Sequence, residues 1–331
     1  MLPSTASPLP FPGRFCLIHG PRKGGTTLLQ SLLDSADGLM MRPGELKLKR
    51  LYVPRMMGLE DDGQIFAELS DWYNGSDQYY GDLGTQYRAA LDAGIAAGLP
   101  VHQLVALELE QLRVRLAPDV VPAARLVIAF KEVGGRLDAV LQATRLLFPR
   151  LKVVLICRSP LAVSSAIYRS RRRRGQRMGL RSLVQQALEP WQVLLRQMRL
   201  FGCPGLFFLS YESLVQDPPA AAGRLERFLE LPAGTLNFEA TTLFGRPTTS
   251  RTASRDTSRV FLSEAPWQRG LVPTEILLVL LAMVWFRLRL LCLAAAGLHP
   301  WLGYRSFARA VEAAAVGTDT RNEPASAGGD F

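Results

Sequence analysis

Short apolar runs recur along this chain, and each is followed by a stretch in which apolar positions return every three or four residues. Residues 15–19, 126–130, 151–157 and 206–210 have the length and content of buried strands. Helical patterns begin near Thr26, near Asp138, after Pro160, near Leu180, after Pro218 and at Thr274, the last with Glu275 in its first turn. Strands alternating with helices imply parallel strands joined by right-handed crossovers. The fold class expected is therefore α/β, an open parallel sheet covered by helices on both faces. No internal repeat and no Pro/Gly/Ser linker divides the chain. One domain is expected over 14–309, between a flexible N-terminus, 1–13, and a disordered tail, 310–331.

One segment, 276–296, is long and apolar enough to be mistaken for a membrane span. It carries Arg287 and Arg289, which are costly in hydrocarbon, so a buried or interfacial helix is the better reading and contact with a membrane surface stays open. Composition agrees with a folded chain: 331 residues, 48% hydrophobic and 21% charged, suffice for a sizeable core. Cys16, Cys157, Cys203 and Cys292 are far apart and form no Cys-x-x-Cys pair, which points to reduced thiols rather than a disulfide frame or zinc site. The first 13 residues hold four prolines and no Lys or Arg, unlike a signal peptide, so a cytoplasmic protein is expected. The net charge of +10 favours anionic partners. Nothing resembles a nucleic-acid motif with interleaved aromatics, and no nucleic-acid partner is expected.

The chemistry concentrates after the first strand. Gly20-Pro21-Arg22-Lys23-Gly24-Gly25-Thr26-Thr27 leads into the apolar helix that follows. Glycines between a strand and a helix start let backbone N–H groups close around an oxyanion, and the helix dipole adds to the attraction. The spacing is nearly that of a nucleotide triphosphatase loop, but Thr26 stands where the lysine would be and Lys23 lies three residues upstream. Arg158, at the end of the strand 151–157, stands where a triphosphatase would more often hold a magnesium-binding aspartate. Both departures describe a site in which protein cations, without a metal, hold an anionic nucleotide.

These residues resemble the sulfotransferases that use 3′-phosphoadenosine 5′-phosphosulfate. Arg22-Lys23-Gly24-Gly25-Thr26-Thr27 is similar to their 5′-phosphosulfate loop, in a form like that of the heparan sulfate enzymes. Arg158-Ser159-Pro160 looks like their 3′-phosphate motif, and Tyr211-Glu212-Ser213-Leu214 with Asp217-Pro218 like the stretch after the next strand. Leu302-Gly303-Tyr304 resembles a common family ending, while 52–126 is unmatched. The resemblance implies a P-loop NTPase-like sulfotransferase fold, with the 5′-phosphosulfate held by Arg22 to Thr27 and Lys23 at the bridging oxygen. It also implies nucleotide contacts from Arg158, Tyr211, a serine shifted from its usual place to Ser165, and an arginine of the 251–259 loop, for which Arg255 is taken.

Two further residues carry over from the resemblance. Glu45 occupies the place of a base glutamate in heparan sulfate 3-O- and tyrosylprotein sulfotransferases, and Lys131 that of a lysine bridging nucleotide and acceptor. Read alone, each is equally a surface charge. The run Arg169, Arg171, Arg172, Arg173, Arg174 is either a solvated helix end or a strip for a polyanionic acceptor. The acceptor, a small molecule, glycan, lipid or peptide hydroxyl, is left open. So are two alternatives: a P-loop kinase or triphosphatase, and a basic polyanion-binding module.

Overall fold

The computed structural model describes residues 14–36, 38–42, 45, 89, 93, 94, 96, 97, 99, 127–134, 140, 141, 148, 151–238, 242, 243, 246, 247, 267–295 and 304–317. Five parallel strands make the main sheet: β1 (Arg14–Gly20), β2 (Leu39–Met41), β3 (Val127–Val133), β4 (Leu151–Cys157) and β5 (Leu206–Ser210), in the order β2-β3-β1-β4-β5. The helices are α1 (Thr26–Leu33), α2 (Pro160–Arg173), α3 (Leu180–Arg199), α4 (Tyr211–Gln216), α5 (Pro218–Leu229), α6 (Pro273–Ala295) and α7 (Tyr304–Gly317). A short antiparallel pair, β6 (Thr242–Leu243) and β7 (Arg246–Pro247), stands apart.

Alternation along each strand sorts the core into two layers. Phe15, Leu17, Val153 and Leu155 pack with Trp191 of α3, Phe286 of α6 and Phe307 of α7 on one face. Cys16, Ile18, Val154 and Ile156 pack with Leu29 of α1 and Leu225 of α5 on the other. Strands buried on both faces must be apolar at every position, which is why they stand out in the sequence as unbroken runs. The chain leaves β1 towards β3 and leaves β4 towards β5. The neighbouring strands β1 and β4 therefore send their connections opposite ways, and in open sheets of this kind such a point leaves a crevice beyond the C-terminal strand ends.

Several expectations shift. Lys131 lies inside β3 rather than after its strand, and Leu126 and Asp138 fall outside the described residues, though Val140 and Leu141 are helical. β2 is three residues long, too short to show a pattern, and was not expected. The domain end expected at 309 falls within α7, which continues to Gly317. Phe307 and Val311 of that helix are buried.

Candidate functional site

The loop after β1 is a tight turn. Gly24 N–H donates to Pro21 O at 2.9 Å, and Lys23 takes a left-handed backbone, φ 60°. Gly25 follows at φ 100° as the N-cap of α1, and a Cβ there would lie 2.4 Å from Cδ2 of Tyr211. Only glycine fits both that conformation and that approach. With glycine at the N-cap, no side chain caps α1. The first amides of the helix keep their capacity for an anion.

Arg158 closes the other side of the crevice. Its Nη1 donates to Lys23 O at 2.8 Å, and its guanidinium lies 4.0 Å from the centroid of the Tyr211 ring. Arg158 Nε is buried and has no hydrogen-bond partner among the described residues. The helix that starts here, α2, likewise has no side-chain cap: Ser159 is its N-cap, and Pro160 begins it. The two helix starts, neither capped by the side chain of its own N-cap residue, are linked through the bond from Arg158 to Lys23 O. Lys23 registers this concentration of positive charge. Burial first, then the charges of Arg174, Arg173 and Arg22, push its ammonium down to about 8.

Behind the loop runs a chain of polar contacts that the sequence did not reveal. Lys131 Nζ donates to Gln30 Oε1 at 2.7 Å and approaches Thr27 Oγ1 at 3.4 Å. Gln30 Nε2 donates to Arg42 O at 2.8 Å, and Arg42 Nη1 to Glu45 O at 2.9 Å. The structure so brings Lys131 to the start of α1 and places Glu45 two contacts further on. Gln30 and Arg42 carried no sequence signal beyond being polar residues in apolar surroundings. Glu212 was seen only as part of a motif. Its Oε1 accepts from Ser159 N–H at 3.0 Å and its Oε2 from the hydroxyl of Tyr304, joining α7 to the end of β4. Burial and the charges of Cys157 and Glu212 raise Tyr304 far above the ordinary phenol range, so this hydroxyl stays a donor.

Other expected residues lie differently. Ser165 is fully buried, and its hydroxyl is engaged by the Trp267 carbonyl and by Arg169. Its neighbour Ser164 donates to Ala187 O at 3.4 Å. The arginine run is not one surface. Arg169 donates to Arg269 O at 2.9 Å, and Arg172 to Gly270 O at 2.7 Å and to the carboxylate of Glu275. Both therefore tie α2 to the start of α6, while Arg173 and Arg174 are exposed at the helix end whose charge reaches Lys23. Arg251, Arg255 and Arg259 lie outside the described residues. His19, under the loop, donates from Nε2 to Gly134 O at 3.0 Å, and burial pushes it down to about 4.

Comparison with known proteins agrees with this geometry. A model of the sulfotransferase family matches residues 16–234, a span that includes the loop, Lys131, Arg158 and Tyr211. No curated protein matches the chain. Among solved structures, the sulfotransferase domain from the Synechococcus PCC 7002 olefin synthase is similar, with a TM-score of 0.55 at 17% identity, over 86% of this chain and 97% of that one. The sulfotransferase domain from the curacin biosynthetic pathway gives a TM-score of 0.49 at 18% identity, over 76% and 85%. At that identity the first of these likenesses speaks for the fold, a parallel sheet flanked by helices.

Proposed function

This chain belongs to the sulfotransferase family, and on that premise we propose that it moves a sulfuryl group from 3′-phosphoadenosine 5′-phosphosulfate to a hydroxyl acceptor, without a metal. The observation that carries the reading is the cationic crevice between β1 and β4. There burial and neighbouring arginines push the Lys23 ammonium down to about 8, a cost that a bound anion would remove. The residues present fit such a donor. An uncapped α1, the left-handed glycine at its start and the partnerless Nε of Arg158 all offer donors to a polyanion.

When bound, the nucleotide supplies an activated sulfuryl group on a phosphate leaving group. The backbone N–H groups from Gly24 to Thr27, with Arg22 and the Thr26 and Thr27 hydroxyls, would hold its 5′ end. Lys23 would stabilise the charge that grows on the leaving oxygen. Arg158 and Tyr211 would take the 3′ end, with Arg255 as the further cation expected from its loop. Lys131, fixed by Gln30, would stand between donor and acceptor. Glu45 would remove the acceptor proton.

The test is nucleotide choice and then turnover. 3′-Phosphoadenosine 5′-phosphate without magnesium should raise the melting temperature, by an amount equivalent to about 2.7 kcal/mol at a hundred times its dissociation constant. Stabilisation by ATP with magnesium alone would favour a kinase and defeat the proposal. With labelled sulfate donor and a panel of hydroxyl acceptors, Lys23→Ala should cost about a hundred- to a thousandfold in turnover. Glu45→Gln should cost about 10²- to 10⁴-fold and leave nucleotide affinity unchanged.

A further inference from the structure

Helix α6 has two unlike faces. Val279, Phe286 and Leu290 are wholly enclosed, and Phe286 lies against Trp191 of α3 with ring centroids 4.5 Å apart. On the opposite side Leu277, Leu280, Leu281, Val284, Leu288 and Leu291 are exposed, four of the leucines by more than half. Their spacing of three and four residues lines them along one side of the helix. Single exposed leucines are ordinary, but a continuous stripe of this size marks an interaction surface.

The surroundings of the stripe are basic. After Glu275, which is enclosed and paired with Arg172, the helix carries no acid. Arg287 and Arg289 are exposed on it, with the Arg289 guanidinium 5.4 Å from the Trp285 ring centroid. The Arg172–Glu275 pair sets the end of α2 at the start of α6. From there Arg173, Arg174, Arg177 and Arg181 are exposed, and residues 159–188 contain no Asp or Glu.

We propose that α6 seats this protein on an anionic lipid surface, lying in the plane of the interface with its leucine stripe at the acyl boundary and the arginines among the headgroups. The core takes one face of α6, and the exposed leucines of the other are edged by arginines long enough to keep their charge among headgroups while the leucines meet the acyl boundary. Crossing the bilayer is excluded by the inner face. To span, α6 would have to withdraw Phe286 and Leu290 from the core they share with Trp191 and Phe307. A second copy fits less well, because two-fold pairing of this face would bring Arg287 and Arg289 of both copies into one interface with no acid on the exposed helix to meet them. The proposal holds whichever acceptor the nucleotide crevice serves.

Flotation of the full-length protein with vesicles tests the proposal. Binding is expected to vesicles containing about a third phosphatidylglycerol and to weaken with salt, with little binding to phosphatidylcholine alone. Leu281→Glu combined with Leu288→Glu should lower the affinity at least ~tenfold. The melting temperature should hold, since both side chains are exposed. Cys292, exposed on the same helix, can carry an environment-sensitive dye whose emission should shift to the blue on binding. Absence of binding to the anionic vesicles would overturn the proposal. So would binding that ignores the leucine substitutions, or a dimer in light scattering that those substitutions split.

Discussion

Lys23 is placed in a backbone conformation that favours glycine, and its chemistry is the reason a lysine can be kept there. Its φ of 60° lies in the left-handed region, which costs a residue with a Cβ roughly 1–2 kcal/mol. The turn from Pro21 to Gly24 and the Arg158 bond to its carbonyl hold it in place. Lys23→Gly should therefore unfold in urea with about 1 kcal/mol more stability than Lys23→Ala, while both lose turnover. Equal stabilities would show that the turn is unstrained. His19 sets a second condition at this scale. Burial lowers its pKa from 6.5 to about 4, so between those values the unfolded chain binds a proton that the native one does not. Stability is consequently lost as pH falls from 6.5 to 4, by about 3 kcal/mol from this residue. His19→Gln retains a donor for Gly134 and should flatten that part of the stability profile; an unchanged profile would mean that His19 is not responsible.

Among the elements, the junction of α2 with α6 shows how one arginine-rich helix end does two jobs. Arg172 pairs with Glu275, a carboxylate only 6% exposed that also accepts from Val272 N–H at 3.1 Å at the start of α6. Removing the arginine leaves that carboxylate enclosed without its partner. Arg172→Ala should cost about 1–3 kcal/mol in chemical denaturation, against less than about 0.5 for the exposed Arg173→Ala. Similar losses from the two would return the run to the status of a solvated end. The same reasoning applies to Glu212, which links β4 and α7. Tyr304→Phe deletes only the hydroxyl that Glu212 accepts and should cost about 1–3 kcal/mol. It should also weaken binding of 3′-phosphoadenosine 5′-phosphate, since Glu212 holds the residue next to Arg158. A variant that keeps both stability and affinity would reduce Tyr304 to a bystander.

At the scale of the whole molecule, α7 completes the core although it lies beyond the span matched by the family model. Phe307 is wholly buried, with ring centroids 5.5 Å from Phe201 and 6.0 Å from Phe208. Phe307→Ala should cost about 3–5 kcal/mol in denaturant unfolding; a loss below ~1 would show that the helix is an appendage. Of the main sheet the four longer strands were legible in the chain, as were the helix starts at Thr26, Pro160 and Leu180 and the glycine-rich loop after β1. Each is fixed by residues within a few positions: apolar runs for doubly buried strands, glycines where a left-handed turn meets a helix, prolines at first helical positions. The contacts that assemble the site were not. Lys131 finds Gln30 across 101 residues, Tyr304 finds Glu212 across 92, and Arg172 finds Glu275 across 103. Nothing local in the chain distinguishes Arg172 from Arg173, or marks Gln30 as the partner of a buried lysine. The sequence by itself thus determined most of the elements and the glycine-rich turn after β1, through short-range sterics and periodicity. Sheet order, which sets β1 between β3 and β4, decided which charges meet and which face solvent, because those partners are neighbours only once distant segments are packed side by side.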